Sequence, residues 1–238
     1  MKALQYGWLA VILCLFPSSG RAQQFGDFSY SSDGTNITIT KYTGARGNVT
    51  IPSVIDDLPV VLIGYEAFYY CPGLTNVTIP NSVTSIGNSA FVSCSGLTNI
   101  IVGTNVASIG IWAFSHCYSL TAIAVGSLNA HYSSVDGVLF NKDQTIIIQY
   151  PDGKTGSYTI PNSATSIGTW AFSHCSSLTS VIIPNSVSNI GDGAFYNCSG
   201  LTGATIGNSV TVIGNDAFYY CSSLTNVIIG NSVTSIGD

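Results

Sequence analysis

The feature that most constrains this chain is a repeat of 23 residues, marked by Ile-Gly pairs along most of the sequence. Five of the six steps between successive pairs are 23 residues long, and the third step is 58 residues. Ala-Phe pairs, a leucine and a cysteine keep the same register. The isoleucines of the pairs are Ile63, Ile86, Ile109, Ile167, Ile190, Ile213 and Ile236.

One copy of this repeat is too small to fold alone. Burying its five or six large apolar side chains contributes on the order of 10 kcal/mol. Ordering 23 residues costs about 1 to 2 kcal/mol for each residue. Stacked copies cover one another, so the sequence predicts a solenoid in which each copy forms one coil.

The apolar spacing within a copy predicts the path of its coil. Leu74, Val77 and Ile79 suit the inner face of a short parallel strand. Residues 83–86 suit a second short strand, and residues 90–94, with their Ala-Phe pair and cysteine, suit the inner side of a helical turn. Each copy is therefore predicted to contain two strands and one helical turn.

The copy at residues 74–96 closely resembles the BspA-like class of leucine-rich repeats, whose hallmark is LxxLxIPxxVxxIGxxAFxxCxx. The resemblance covers roughly residues 60–238 apart from the long step, with mild departures such as Gly103 for proline and Ala204 for leucine or valine. It implies a right-handed, mostly β leucine-rich-repeat solenoid with short helical turns. It also implies a secreted or surface protein, since some members are adhesins that bind extracellular proteins.

The N-terminal residues 1–22 resemble a signal peptide. Lys2 precedes an apolar stretch of about 13 residues, and Ala22 follows a small-residue break that suits cleavage. The stretch is shorter than the roughly 20 residues that span a bilayer, so a membrane anchor is the less favoured alternative. We therefore expect export, a secreted or cell-surface location and no membrane span in the mature chain.

The remaining sequence divides into a cap and a solenoid. Residues 23–45 predict an N-terminal β-hairpin cap, with strands at 25–30 and 37–42 around a turn at 32–34. Residues 46–238 are predicted to form the solenoid, and the long step is predicted to contain an insertion at about 127–158. Its β-rich runs at 135–140 and 145–150 flank a turn, which predicts an inserted hairpin.

The last repeat is incomplete, because the sequence stops at Asp238 directly after an Ile-Gly pair. A solenoid normally needs a polar cap at each end. Three explanations stay open: a truncated chain, end-to-end stacking with a partner, or a tolerant last coil.

The charge balance disfavours nucleic acid and anionic membranes as partners. Only 7% of the residues are charged, against roughly 25% in an average soluble domain. Without residues 1–22, four basic residues stand against eleven acidic ones, which gives a formal net charge of −7. Phosphate recognition needs clustered lysine and arginine, and no such cluster occurs in the sequence.

The six cysteines of the repeats pose a choice between disulfides and free thiols. An exported protein with six cysteines usually forms disulfides. Equivalent residues on adjacent coils, however, lie about 4.7 to 4.9 Å apart, whereas a disulfide needs Cβ atoms near 3.8 Å. We therefore predict a ladder of buried thiols that act as small hydrophobic side chains.

Neither a metal site nor an active site is predicted. The hexapeptide Trp-Ala-Phe-Ser-His-Cys occurs at residues 112–117 and 170–175. With the insertion between them, His116 and His174 are not expected to converge, and structural zinc needs four ligands. No triad spacing, paired carboxylates or phosphate loop occurs. The chain is thus predicted to be no enzyme and to need no cofactor.

Two surfaces are candidate binding sites, although both patterns also suit ordinary β coils. One is the outward face of the first strand of each coil, where ligand contacts are predicted. The other is a set of tyrosines beside the turns, comprising Tyr69, Tyr70, Tyr196, Tyr219 and Tyr220. The predicted ligand-binding residues are Thr75, Asn76, Thr78, Thr98, Asn99, Ile101, Thr121, Thr179, Ser180, Ile182, Thr202, Thr205, Thr225, Asn226 and Ile228.

The predicted function is a non-enzymatic extracellular protein-binding or adhesion module with a protein ligand of unknown identity. Two alternatives remain. One is a structural spacer or surface-layer arm, either on its own or as a fragment of a larger protein. The other is a surface that binds carbohydrate through exposed tyrosine and tryptophan. These alternatives differ in whether a protein, a glycan or no ligand binds.

Overall fold

A computed structural model describes residues 23–238 as a stack of β coils; the predicted signal peptide lies outside the described residues. The first half of the stack contains two sheets. One has the order β1-β2-β3-β6-β8-β10 with β5 paired to β6, and the other has the order β11-β9-β7-β4. Their strands are β1 (Gln23–Phe25), β2 (Phe28–Ser32), β3 (Ile37–Tyr42), β4 (Gly47–Thr50), β5 (Val54–Ile55), β6 (Leu58–Ile63), β7 (Leu74–Thr78), β8 (Ser85–Ile86), β9 (Asn99–Val102), β10 (Ser108–Ile109) and β11 (Ala122–Val125).

The second half repeats this arrangement with two further sheets. One has the order β12-β13-β14-β16-β18-β20-β22, and the other has the order β15-β17-β19-β21. Their strands are β12 (Tyr132–Val135), β13 (Val138–Asn141), β14 (Ile146–Gln149), β15 (Gly156–Thr159), β16 (Ser166–Ile167), β17 (Leu178–Ile183), β18 (Asn189–Ile190), β19 (Gly203–Ile206), β20 (Val212–Ile213), β21 (Asn226–Ile228) and β22 (Ser235–Ile236).

The core is built from ladders of equivalent side chains, as the repeat predicts. Val77 pairs in parallel register with Ile100 of the following coil, and Ile86 pairs with Ile109. The phenylalanines stack face to face, with ring centroids 4.7 Å apart for Phe68 and Phe91. Each coil thus buries its apolar residues against its neighbours, which confirms the leucine-rich-repeat solenoid.

The turn around each Ala-Phe pair is not helical, so that part of the prediction is wrong. In the coil of Phe91, the residues Ser89 and Ser93 have positive φ angles of 55° and 62°. Left-handed residues spaced four apart cannot continue a right-handed helix. The segment instead forms consecutive tight turns, in which Val92 N–H donates to Ser89 C=O at 3.1 Å and Cys94 N–H donates to Phe91 C=O at 3.3 Å.

The N-terminal cap is an antiparallel unit of three strands, rather than the predicted hairpin alone. Strand β2 pairs with both β1 and β3. Gly26 divides the first predicted strand because it adopts a φ of 54° in a tight turn. Strand β3 then pairs in parallel with β6 of the first coil. The cap therefore covers the first coil with backbone hydrogen bonds.

The insertion has the same architecture as the cap. Strands β12, β13 and β14 are antiparallel, and β14 pairs in parallel with β16 of the next coil. The Tyr42 N–H and the Tyr150 N–H each donate at 2.7 Å to the alanine carbonyl of the next coil. Gly47 and Gly156 then open β4 and β15 with positive φ angles of 114° and 88°. The insertion therefore restarts the solenoid with a second cap-like unit.

Many polar side chains form hydrogen bonds between neighbouring coils, which is consistent with the low charge content. Thr104 N–H donates to Asn81 Oδ1 of the preceding coil at 2.9 Å, and Asn208 N–H donates to Asn185 Oδ1 at 2.7 Å. The Thr211 hydroxyl donates to a carbonyl 23 residues earlier at 3.2 Å. Charged side chains in the same register would repel one another about 4.8 Å apart. Uncharged serine, threonine and asparagine instead pair with the preceding coil.

The apolar side chains of the last coil lie at an open end of the stack. Ile229 is 48% exposed and Ile236 is 63% exposed, whereas the equivalent Ile79 and Ile86 are buried. End-to-end stacking at this surface remains a prediction. No helix within residues 23–238 is long and apolar enough to cross a membrane.

Candidate binding surface

The threonines of the predicted strand face support the coil stack with their hydroxyl groups. The Thr98 hydroxyl donates to Thr75 C=O at 2.9 Å, and the Thr121 hydroxyl donates to Thr98 C=O at 3.2 Å. The same bond joins Thr202 to Thr179 in the second half at 2.9 Å. The repeated threonine therefore has a structural role, whether or not the face binds a ligand.

The predicted strand-face residues differ in exposure. Those exposed to solvent are Thr98, Ile101, Thr121, Thr179, Ile182, Thr202, Thr225, Asn226 and Ile228. Those that are half-buried are Thr75, Asn76, Thr78, Asn99, Ser180 and Thr205. Because the hydroxyl groups are largely occupied, the exposed isoleucines are the most available contact groups on this face. Ligand binding here remains a prediction.

The two identical hexapeptides meet on the turn face. The ring centroids of His116 and His174 are 4.0 Å apart, and those of Trp112 and Trp170 are 6.1 Å apart. The expectation that these histidines do not converge is therefore wrong. The reason is that the insertion crosses the core at Tyr150 without forming a turn loop of its own, so the loops on either side of it become neighbours.

Local backbone geometry places these rings. Trp112, Trp170, His116 and His174 all have positive φ angles between 57° and 64°, because they occupy the two left-handed positions of the turn. The indole of Trp170 lies over Gly193, where a Cβ atom would be 2.2 Å from the ring carbon Cε3. Glycine at this position therefore leaves the space that the indole fills.

A continuous aromatic strip follows the turn face from the hexapeptides to the last coils. The Trp170 ring contacts Tyr196 at a centroid distance of 5.4 Å, and Tyr196 contacts Tyr219 at 5.6 Å. Tyr219 in turn packs against Tyr220 at 4.3 Å. We call this set the aromatic strip, which consists of Trp112, His116, Tyr118, Trp170, His174, Tyr196, Tyr219 and Tyr220.

The structure separates the tyrosines predicted from sequence into two groups. Tyr196, Tyr219 and Tyr220 belong to the aromatic strip, whereas Tyr69 and Tyr70 contact each other at 6.3 Å near the cap. The two histidines of the strip were not among the predicted contact residues, and tryptophan was named only in the carbohydrate-binding alternative. Their identical hexapeptides were the available signal, but the insertion between them concealed their proximity.

A cavity of about 400 Å³ lies along the aromatic strip. Trp112, Trp170 and Tyr196 line its walls together with His116, His174, Ser115, Val92 and Asp216. Burial lowers the pKa of His116, and burial together with the neighbouring His116 lowers the pKa of His174 to about 4. Both histidines are therefore neutral at pH 7, and Asp216 is the one charged residue in the lining.

The histidine pair is hydrogen-bonded on one side of each ring. Its Nδ1 atoms face Ser115 Oγ at 3.0 Å and Asn197 Nδ2 at 3.1 Å. Within residues 23–238, no group of three or more histidine, cysteine, aspartate or glutamate residues is placed to hold a metal ion. The pair instead provides flat, uncharged rings with their remaining nitrogen atoms available for hydrogen bonds.

The six repeat cysteines are free thiols in the structure, and four of them are buried. The Cys94 thiol donates to Phe68 C=O of the preceding coil at 3.0 Å, and Cys198 makes the equivalent bond to Phe172 C=O at 3.0 Å. A hydrogen bond with Cys117 and burial raise the pKa of Cys94 to about 12. The Cys94 thiol is therefore protonated at neutral pH, and the four buried thiols form a ladder inside the core.

Asp152 is a buried acid at the junction of the two half-solenoids. Its side chain is 1% exposed, and its Oδ2 atom has no hydrogen-bond partner among the described residues. Gln149 Nε2 donates to Oδ1 at a long distance of 3.4 Å. Burial raises the pKa of Asp152 to about 8, although the main-chain amides of His116 and Cys117 act in the opposite direction.

The arrangement of repeats can be compared with known families. The sequence profile of the BspA type leucine rich repeat region matches residues 61–151 and 150–238, in six copies. The chain belongs to the BspA-type leucine-rich repeat family. This family and its solenoid fold are typically non-catalytic scaffolds. No curated protein matches the sequence of this BspA-type chain.

Solved structures of bacterial leucine-rich repeat proteins resemble the BspA-type chain. A leucine-rich repeat protein of T. pallidum is 31% identical, with a TM-score of 0.52, and the match covers 91% of this chain and 86% of that one. The pneumococcal vaccine antigen PcpA is 21% identical, with a TM-score of 0.58, and the match covers 92% and 78%. A leucine-rich repeat protein of Eubacterium ventriosum is 23% identical, with a TM-score of 0.57, and the match covers 89% and 72%. PcpA and the Eubacterium ventriosum protein share the fold of this chain.

Proposed function

We propose that this chain is a non-enzymatic, extracellular protein-binding module of a bacterial surface, with a role in adhesion. The observation that carries the proposal is the aromatic strip. Trp112 is 49% exposed and Tyr220 is 61% exposed, and the rings between them are in contact. Contiguous exposed apolar surface of this kind is typical of protein interaction sites, where tyrosine and tryptophan contribute most of the binding energy.

The charge distribution supports a protein partner. The described lining of its cavity contains no lysine or arginine, and its two histidines are neutral at pH 7. Lys142 and Lys154 are engaged elsewhere, since their Nζ atoms donate to main-chain carbonyls of the insertion. Binding through the strip therefore depends on apolar contact area rather than on attraction between charges.

Binding to a panel of purified extracellular matrix proteins tests this proposal. Tyr219→Ser combined with Tyr220→Ser should reduce affinity at least about tenfold, because two exposed anchors are removed. The matched control is Tyr69→Ser combined with Tyr70→Ser, which removes the exposed tyrosines outside the strip. Equal loss in both variants, or no binding by the unaltered chain, contradicts a role of the strip in protein binding.

The strand face is tested in parallel. Replacing Ile101, Ile182 and Ile228 by asparagine removes its exposed apolar groups while the threonine ladder stays intact. If affinity falls in this variant and not in the tyrosine variant, the strand face is the binding surface. If the unaltered chain binds no protein of the panel, a structural spacer is the better interpretation.

Carbohydrate binding is a second candidate, favoured by the composition of the 400 Å³ cavity. Tryptophan and tyrosine rings combine an apolar face with a polar edge, and Ser115, His116 and Asp216 lie beside them. A glycan array compared with the protein panel separates the two candidates. Glycan binding that is lost on Trp112→Ala, in the absence of protein binding, supports this alternative.

A further inference from the structure

The turn loops of neighbouring coils are joined by a regular backbone ladder. In the coil of Phe91, three N–H groups donate to the next coil, from Ser89 at 3.0 Å, Phe91 at 2.8 Å and Ser93 at 3.0 Å. In the second half, the equivalent donors Trp170 and Phe172 bond to the next coil at 2.9 and 2.7 Å. Each regular turn loop therefore pairs fully with the one that follows it.

This ladder is interrupted at the junction of the half-solenoids. Trp112 N–H and Phe114 N–H, which occupy the same ladder positions, have no hydrogen-bond acceptor in the described part of the chain. On the facing loop, Thr169 C=O accepts no hydrogen bond from residues 23–238. Phe114 is buried, and an unpaired N–H group in such a place is uncommon because it loses its hydrogen bond to water.

The interruption arises because the insertion has too few residues at the level of these turn loops to form a regular loop between them. Ile147 occupies the place of the repeat isoleucine, since its carbonyl accepts from Gly168 N–H at 2.9 Å. Tyr150 occupies the place of the repeat phenylalanine and stacks on Phe172 at 4.8 Å. A regular coil has four residues between these positions, and the insertion has only Ile148 and Gln149. Two residues of the turn loop are therefore missing.

The missing residues leave a slot between the two loops. It has a volume of about 330 Å³. Its lining is uncharged, and it includes Trp112, Phe114, Gln149, Thr169 and Trp170. One wall offers main-chain N–H groups, and the facing wall offers a main-chain carbonyl.

We propose that this slot binds a short segment of a partner polypeptide, whose main chain takes the conformation of a regular turn loop and completes the ladder. In a regular loop, Asn88 C=O accepts from Glu66 N–H of the preceding coil and Ser89 N–H donates to Ile111 C=O of the following coil. A bound main chain with the same conformation matches the donors on one wall and the acceptor on the other. The bound residues are small and uncharged, as in the regular loop residues Asn88, Ser89 and Ala90. The inference rests on the proposed protein-binding function and specifies the chemistry of the partner.

The probe is a blocked tetrapeptide, Gly-Asn-Ser-Ala, which copies residues 87–90 of this chain. In this register its asparagine and alanine carbonyls accept from Trp112 and Phe114, and its serine N–H donates to Thr169 C=O. The control peptide Gly-Asn-Pro-Ala lacks the serine N–H and also cannot adopt the positive φ of Ser89, so it cannot complete the ladder. We expect saturable millimolar binding for the first peptide and at least about tenfold weaker binding for the second.

Tryptophan signals report directly on the slot. In the full chain with Trp8→Phe, the two remaining tryptophans, Trp112 and Trp170, both line it. In a sample labelled with ¹⁵N-tryptophan, the peptide should shift the main-chain N–H signal of Trp112. A variant with Ser-Ala inserted after Gln149 supplies the missing residues and should abolish the shift; its thermal unfolding shows whether it folds.

Three results overturn the proposal. They are no shift with the first peptide, an equal response to the proline peptide, or a preferential response of the same signals to soluble oligosaccharides. The peptide comparison remains decisive if the insertion variant does not fold. Protein binding that depends on Tyr219 and Tyr220 without any peptide response refutes the slot and leaves the proposed function intact. A peptide response without capture of any matrix protein supports the slot and contradicts the proposed function.

Discussion

Replacing Asp152 by asparagine should change how the stability of the protein depends on pH. The carboxyl group has a pKa of about 8 in the folded chain because of burial, against 3.8 when exposed. A raised pKa means that the folded state favours the protonated acid. Its stabilising contribution is fully present below pH 3.8 and is lost as the pH rises through 8. The linkage amounts to a loss of about 4 kcal/mol between pH 4 and 7 and about 1 kcal/mol more by pH 9.

Urea denaturation of both proteins between pH 4 and 9 measures this effect. The difference in unfolding free energy between Asp152→Asn and the unaltered chain should grow in favour of the variant as the pH rises, because asparagine cannot ionise. Asp136→Asn is the matched control, since Asp136 is exposed in the same insertion. A difference that stays constant with pH, or one that Asp136→Asn reproduces, refutes the assignment of Asp152 as a buried neutral acid.

Three further predictions concern the core and the aromatic strip. His174→Gln should reduce the loss of stability on acidification. The pKa of His174 is lowered to about 4, so its contribution to stability is complete above pH 6.5 and is lost as the pH falls toward 4. If the unfolding free energy in urea falls equally in both proteins below pH 6.5, the prediction is contradicted. Phe91→Ala should cost about 3 to 5 kcal/mol in the same assay, because it opens a gap in the ring stack, and a cost below about 1 kcal/mol opposes the stacked core. The thiol of Cys94 should resist a thiol reagent in the native protein and react after denaturation, because its pKa is about 12 and it is buried; rapid native reaction, or no reaction after denaturation, contradicts a buried free thiol.

The second cap-like unit explains why the stack contains two hydrophobic cores. Phe114 closes the ring stack of the first half, and Tyr150 opens the stack of the second half against Phe172. Val138 and Phe140 pack in the second core, whereas Leu139 of the same strand packs in the first. Strand β13 therefore presents opposite faces to the two cores, as alternating side chains of a strand do.

The repeat register alone determined most of the coil. Isoleucines spaced 23 residues apart require equivalent positions in successive coils, and the stacking of Phe68 on Phe91 follows directly from that spacing. The same register predicted the buried thiols. It did not exclude a helical turn, because an Ala-Phe pair with a later cysteine also suits one face of a helix. Left-handed angles at Ser89 and Ser93 decided that point, and several residue types tolerate them in tight turns.

A sequence signal for the second cap-like unit was present but weak. Asp136 and Gly137 both have positive φ angles, 51° and 79°, which suits the tight hairpin turn that an Asp-Gly pair favours. This turn divides a run that reads as one strand from its β-forming residues alone. The run from Tyr150 to Gly156 likewise resembles the run from Tyr42 to Gly47, but the two segments differ in length and share few residues.

The sequence by itself determined that the chain is a stack of uncharged β coils, because a fixed period allows only one register of its apolar residues. Tertiary structure alone decided which turn loops are neighbours at the junction. A period says nothing about the path of residues that interrupt it, and this path depends on Ile147 and Tyr150 packing into the core. That packing shortens one turn loop, brings Trp112 beside Trp170, and leaves main-chain groups without partners between them.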